Sequence, residues 1–271
     1  LGDGADDDAQ GSRFDTAGDG DAVDTFFVWG EHGAMSVVLE AQGVEEYRSG
    51  KAVLRGVSIR LHSGRVAALL GPTGAGKTTL FDVLVGERRP QRGVVRLMGE
   101  DVTKLPMWRR ARLGVGTIPQ GPTVLPDMDV DGNLTTFERL GGGERKGSLY
   151  WARMVGLEQR LGVRAGHLSG GERRLLEIAR SMVTRPRVLI CDEPFSGIDP
   201  AGAMRIAQML RGLALEGVAV LLSDHHASIA LRISDEVGLL LDGEVHFWGS
   251  ASDWIKEPLV RERYLGGSMD G

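Results

Sequence analysis

From position 37 onward, apolar and polar residues fall into two distinct periods. In "SVVLEAQGVEEY" (36–47) and "AVLRGVSIRL" (52–61) they alternate, which predicts half-exposed strands. "RVAALL" (65–70) is a short apolar run, read as a buried strand that enters the glycine loop "GPTGAGKTT" (71–79). A helix is predicted from Lys77 to about Gly86, then a strand at "GVVRLMG" (93–99). "LPMWRRARLG" (105–114) reads as a short basic helix and "VGTIPQ" (115–120) as a strand end. Residues 130–185 read mostly as helix, broken by "GGGERKG" (141–147). A buried strand follows at "RVLICDEP" (187–194), then an amphipathic helix at 200–217 closed by Gly217. "VAVLLSDHH" (218–226) reads as a strand, and "VGLLLDGEVHFWG" (237–249) as a hairpin turning at Asp242-Gly243. Strands alternating with helices predict an α/β domain with a largely parallel sheet, to which the early alternating strands add a small antiparallel unit.

The chain has 271 residues, 42% of them apolar, enough for one large domain with subdomains. Its net charge of −5 is unevenly spread. Residues 1–36 hold eight Asp, one Glu and one Arg, or −8, which leaves about +3 for the rest. That segment reads as a disordered acidic tail, or as sequence upstream of a start at Met35. The charge balance does not resemble that of a nucleic-acid-binding domain. The one cysteine, Cys191, excludes an internal disulfide and fits a reducing compartment. Inside a buried apolar strand it reads as a packed core thiol rather than a nucleophile. No apolar run approaches the roughly 20 residues of a membrane helix, so any membrane work needs other chains to span the bilayer. No signal-peptide layout is visible at the N-terminus.

Gly71, Pro72, Thr73, Gly74, Ala75, Gly76, Lys77 and Thr78 fit G-x-x-x-x-G-K-[ST], with Thr79 following. The loop leaves a strand and opens a helix, so its backbone N–H groups can wrap phosphates. Lys77 would reach the β- and γ-phosphates and the Thr78 hydroxyl a Mg²⁺ ion. "RVLICDEP" delivers Asp192 to a strand's carboxyl end, where open α/β sheets bind ligands. Asp192 is read as a Mg²⁺ ligand, and Glu193 as the base that orients and deprotonates an attacking water. A solvated surface acid is the plainer reading of Glu193. "LSGGERRLLEIAR" (168–180) has the form of a second phosphate site at a helix N-terminus. The plainer reading, a capping box of Ser169 with Glu172, is compatible with it.

Taken together these motifs resemble the ATP-binding subunits of ABC transporters, over about 37–265. Gln120 looks like the Q-loop glutamine, "LSGGE" (168–172) like the family signature, and "SGID" (196–199) like the D-loop. His225 looks like the switch histidine, and Tyr47 like the aromatic that stacks on adenine. The resemblance implies a P-loop NTPase fold with a RecA-like core, an antiparallel β subdomain and a helical subdomain at about 121–185. It implies ATP and Mg²⁺ as ligands, with Gln120 at Mg²⁺ or water and His225 at the γ-phosphate. It further implies a homodimer, or a paired ATPase subunit, in which Ser169, Gly170 and Gly171 of one copy close over ATP held by the other. Asp199 then links the two sites. His226 is assigned a structural role, because strand alternation would turn it away from His225. Transmembrane permease subunits are the implied partners, and the location is cytoplasmic, peripheral on the inner face of the cell membrane.

Within the family, "LPMWRRARLGVGTIPQ", "LSGGERRLLEIAR", "DEPFSGIDP" and "SDHH" look like the ATPase subunit of lipopolysaccharide-export transporters. "PLVRERYLGG" (258–267) is shared with that branch and with branched-chain amino-acid importers, the second reading, and leaves 266–271 as a tail. The helical subdomain between Asn133 and Leu168, short and carrying "GGGERKG", departs from the pattern, as do Leu125 and Gly132, on the face that grips a permease. A soluble ABC ATPase would carry tandem units or a coiled-coil insertion, and a non-hydrolysing subunit would lack Glu193 or His225.

Overall fold

The computed structural model describes residues 36–141 and 145–263. The acidic-tail reading of 1–36 (all but Ser36), residues 142–144 of the predicted break and the tail 266–271 lie outside the described residues. Two sheets form the frame. The smaller is antiparallel: β1 (Val37–Arg48) sits between β2 (Lys51–His62) and β4 (Arg92–Leu97), and β4 pairs with the short β5 (Glu100–Asp101). The larger has the order β10-β9-β3-β8-β7-β6. Its members are β3 (Val66–Leu70), β6 (Val115–Ile118), β7 (Val188–Asp192), β8 (Ala219–Ser223), β9 (Glu236–Leu241) and β10 (Glu244–Gly249). All its pairings are parallel except β9 with β10.

The apolar runs explain why this sheet is central. A strand buried on both faces shows no polar alternation, yet its residues still alternate between two cores. In β3, Val66, Ala68 and Leu70 enter one core while Ala67 and Leu69 enter the other. β7 divides likewise, with Leu189 and Cys191 against Val188 and Ile190. The first core is closed by α5 (Gly170–Val183) and α6 (Pro200–Leu215), the second by α1 (Lys77–Val85) and the smaller sheet. Each fully buried Leu, Val or Ile contributes about 1.5–3 kcal/mol, so the sheet is the rigid base on which its carboxyl-end loops are fixed. Cys191 is fully buried and its thiol is pushed up to about 12, chiefly by desolvation, so it stays protonated and inert.

The predicted elements recur with shifted ends, including α2 (Met107–Arg112) in the basic segment, and α3 (Val130–Gly141) and α4 (Ser148–Val155) in the helical region. One reading changes. The strand expected over 218–226 stops at Ser223, and α7 (Ala227–Ile233), not predicted from the sequence, begins directly after His226. Asp224 is the cause. Its buried carboxylate accepts bonds from the His226 backbone N–H and the Phe195 N–H, both at 2.8 Å, and turns the chain out of the sheet. His226 is held by Asp224 at its Nδ1 (2.8 Å), not placed by strand alternation. The short helices α8 (Ala251–Trp254) and α9 (Pro258–Arg263) were also not predicted.

Arg110 of α2 is fully buried and, among the described residues, its hydrogen bonds go to carbonyls. It donates to Val83 O (2.7 Å), Leu84 O (2.8 Å), Leu105 O (3.0 Å) and Thr103 O (3.1 Å). Two of these are last-turn carbonyls of α1, where a cation also meets the negative end of the helix dipole. Burial pulls its pKa down to about 10, against the pull of Asp101, so the guanidinium remains charged at neutral pH. Arg110→Met is expected to cost about 3 kcal/mol in urea unfolding: the orphaned carbonyls outweigh the relief of no longer burying a charge. A loss below about 1 kcal/mol would mean that water replaces the guanidinium without penalty.

Candidate functional site

The cleft lies at the carboxyl end of the parallel strands. β3 ends at Leu70 and the chain turns at once through Gly71. A Cβ on Gly71 would sit 2.2 Å from the Leu240 carbonyl oxygen, so only glycine lets the loop leave the sheet here. Gly76 is left-handed at φ 109° and serves as the N-cap of α1 without a side-chain cap. The first amides of α1 and the positive end of its dipole are therefore offered to the cleft. Lys77 is buried, and its Nζ donates to Gly71 O (2.7 Å) and Pro72 O (3.0 Å) across the loop. Desolvation lowers its pKa, and the nearby Asp192 and Glu193 oppose that shift.

β7 brings up the acidic side. Asp192 and Ser223 are register partners on neighbouring strands, and Ser223 Oγ donates to Asp192 Oδ1 at 2.6 Å. The next residue, Glu193, is left-handed at φ 49°. A non-glycine residue there costs about 1–2 kcal/mol, and its surroundings hold it. Glu193 N–H donates to Ser223 O (2.8 Å), Gln120 Nε2 donates to Oε2 (2.9 Å), and His225 Nε2 lies 2.9 Å from Oε1. The Glu193 side chain is 12% exposed and that of His225 52%, so a largely enclosed carboxylate faces a more open imidazole.

A cleft of about 390 Å³ joins the two sides, lined by Thr73, Gly74, Gly76, Lys77, Thr78, Thr79, Gln120, Glu193 and His225, with Arg48 and Val53. A helix N-terminus, a cation, hydroxyls and a carboxylate braced at both oxygens suit a bound polyphosphate and proton transfer from water. Of the other expected residues, Gly71 and Pro72 supply the carbonyls that hold Lys77, and Ala75 is buried. Tyr47 is 44% exposed beside Arg48 and donates its hydroxyl to Glu45 (3.2 Å) rather than lining the cleft.

The second set lies outside this cleft. Ser169 caps α5 in a full capping box with Glu172, whose carboxylate also accepts from Arg160 Nε (2.9 Å). A Cβ on Gly170 would meet the Gly197 carbonyl at 3.4 Å, and one on Gly171 the Ile198 side chain at 3.5 Å. The signature segment therefore packs against the segment at 196–199. Asp199 caps α6, accepting from Ala201 N (3.1 Å) and Gly202 N (3.0 Å).

Sequence reading missed what joins the two sets. Arg174 of α5 pairs with Glu177 (2.8 Å) inside the protein and donates to Pro119 O (3.0 Å), Gln120 O (3.5 Å) and Glu193 O (3.4 Å). Glu177 also accepts from Thr123 Oγ1 (3.1 Å), and Arg180 donates to Thr123 O (2.6 Å). The signal was present: residues 174, 177 and 180 share one face of α5 at three-residue spacing, among apolar neighbours.

The family model described as ABC transporter matches residues 54–196. The chain is 41% identical, over 86% of its own length and 98% of the other, to the lipopolysaccharide export system ATP-binding protein LptB of Acidithiobacillus ferridurans. It is 30% identical to LptB of Escherichia coli (strain K12), covering 84% of this chain and 97% of that one. The ADP conformation of MJ1267, an ATP-binding cassette of an ABC transporter, superposes with a TM-score of 0.77 at 26% identity, covering 85% and 99% of the two chains. With a strand-loop-helix phosphate cradle and a braced carboxylate in one cleft, the chain belongs to the ABC transporter family, as an ATP-binding, ATP-hydrolysing subunit.

Proposed function

We propose that this subunit drives lipopolysaccharide export through separate transmembrane permease subunits, working as a homodimer on the cytoplasmic face of the membrane. The observation that supports this cargo is the relation to the Acidithiobacillus protein over nearly its whole length. Among the described residues no helix is long and apolar enough to cross a membrane. The test is co-expression with candidate permeases, followed by ATPase assay in proteoliposomes. Co-purification with lipopolysaccharide-export permeases and lipopolysaccharide-dependent turnover are expected. Partnership with amino-acid permeases would overturn the cargo.

In this reading the loop 71–79 wraps the phosphates, Lys77 neutralises the β- and γ-oxygens, and Tyr47 stacks on adenine. Thr78, Gln120 and Asp192 would hold Mg²⁺: hydroxyl, amide oxygen and carboxylate are the hard donors it takes. They fit, because Gln120 turns its Nε2 to Glu193 and so keeps its Oε1 for a cation, while Asp192 is fixed by Ser223. Bound Mg²⁺ supplies charge neutralisation at the phosphates. Glu193 takes a proton from water, the hydroxide attacks the γ-phosphorus, and the bond to the bridging oxygen breaks to give ADP and phosphate. Gln120 and His225 hold the carboxylate in place, and His225 also meets the γ-phosphate. Ser169, Gly170, Gly171 and Asp199 act on the ATP of the second copy. Lys77→Ala is expected to weaken ATP binding by roughly a hundredfold or more, since phosphate charge loses its buried cation. Calorimetric affinity within threefold of the parent would reject the assignment.

The permease surface in this reading is a groove of about 360 Å³ walled by α2, α3 and α5. Met107, Val115 and Phe137 give it an apolar lining, and Thr123 and Arg180 lie at its polar end. Thr123 is tied to Glu177, and Glu177 to Arg174, which grips the Gln120 and Glu193 carbonyls. A push on the groove thus reaches the catalytic carboxylate through one short chain of bonds.

A further inference from the structure

α2 forms one wall of that groove with Met107 and Ala111, and its outer face has no role in the reading above. Between Asp101 and Asp127 the chain has no acidic residue and four cations: Lys104, Arg109, Arg110 and Arg112. Arg110 points inward and anchors the helix through its four carbonyl bonds. The other three cations are exposed. Between them stands Trp108, 55% exposed, with the Arg109 and Arg112 guanidinium carbons 5.1 and 5.2 Å from its ring centroid. Met107 at the start of the helix and Leu113 at its C-cap are also exposed. An indole this open on a water-facing surface leaves apolar area uncovered, and the buried Arg110 holds that display rigid.

We propose that this face of α2 rests on the anionic lipid headgroups of the bilayer, with Arg109, Arg112 and Lys104 at the phosphates and Trp108 at the headgroup–acyl boundary. The proposal rests on the permease-groove reading, which puts α2 at the membrane-facing rim. Arg and Lys flanking an interfacial Trp are the composition that such a boundary selects. Nucleic acid fits less well. Trp108 already has two guanidinium groups against its ring, and Met107 and Leu113 offer no stacking surface.

The test uses the purified full chain with vesicles of phosphatidylglycerol and phosphatidylcholine, and with vesicles of phosphatidylcholine alone. Sedimentation is expected only with the anionic vesicles and should weaken with salt. The double variant Arg109→Ala/Arg112→Ala should bind them roughly thirtyfold less well, with ATP hydrolysis in solution unchanged. Brominated phosphatidylglycerol should quench tryptophan emission in the parent and lose most of that effect in Trp108→Phe. Equal binding to neutral vesicles, no binding to either, or a double variant that binds like the parent would overturn the proposal. A short RNA bound more tightly than the anionic vesicles would overturn it as well. The groove reading fails separately: Phe137→Asp that still co-purifies with the permease would reject the groove, while the vesicle result addresses the lipid face.

Discussion

Glu193→Gln is expected to leave ATP bound but nearly unhydrolysed, with turnover down between roughly a hundredfold and ten-thousandfold, the usual contribution of a positioned general base. The proposed mechanism gives the carboxylate that task, and its local geometry comes at a cost to stability. Its backbone is held left-handed at φ 49°, a local cost, while both side-chain oxygens are engaged, by Gln120 at 2.9 Å and His225 at 2.9 Å. Gln keeps the volume, and its amide oxygen can still accept from Gln120. What it loses is the basic oxygen facing His225. The fold and the phosphate cradle therefore survive while proton transfer from water stops. In the proposed homodimer ATP bridges two copies, so without hydrolysis the variant should accumulate as an ATP-bound dimer. Single-turnover hydrolysis with light scattering reads both effects, and turnover within threefold of the parent would remove Glu193 from the role of base.

The parts of this site legible in the sequence were those whose spacing is local. The loop 71–79 carries its own geometry, since glycine is needed where Gly71 passes the Leu240 carbonyl and where Gly76 is left-handed. Asp192 and Glu193 follow from a buried strand ending in acids, and Gln120 and His225, which the resemblance singled out, both lie against Glu193. The parts not legible depend on partners distant along the chain. "GERRLLEIAR" shows Arg174 and Glu177 on one helix face but not what they meet, because their neighbour, the segment at 119–123, is more than 50 residues away. Ser223 reads as the end of an apolar strand until β8 is set beside β7 and its hydroxyl meets Asp192. The strand expected through His226 ends early for the same reason: the sequence pattern continues it, but a buried Asp224 that also holds Phe195 bends the chain away.

Ser169→Arg is expected to spare ATP binding, block ATP-driven dimerisation and lower hydrolysis at least a hundredfold. Ser169 lies outside the chain's own phosphate cleft, so nucleotide affinity should stay within about twofold. In the proposed composite site, Ser169 and the first amides of α5 approach a phosphate held by the other copy, and removing one such donor alone costs about 10²–10³ in rate. An arginine side chain fills the space that phosphate must enter. Ser169 also has a local task, because its hydroxyl accepts from Glu172 N (3.2 Å) while Glu172 accepts from Ser169 N (2.9 Å). Ser169→Ala separates the two. It removes the same cap, worth about 1 kcal/mol, but adds no bulk, so it should lower the unfolding free energy and still dimerise. If both variants lose only that cap energy and both dimerise with ATP, the motif is a helix cap and nothing more. If arginine alone prevents closure, the N-terminus of α5 is the surface that meets a second copy's nucleotide, and the capping box serves the stability of the helix rather than that contact.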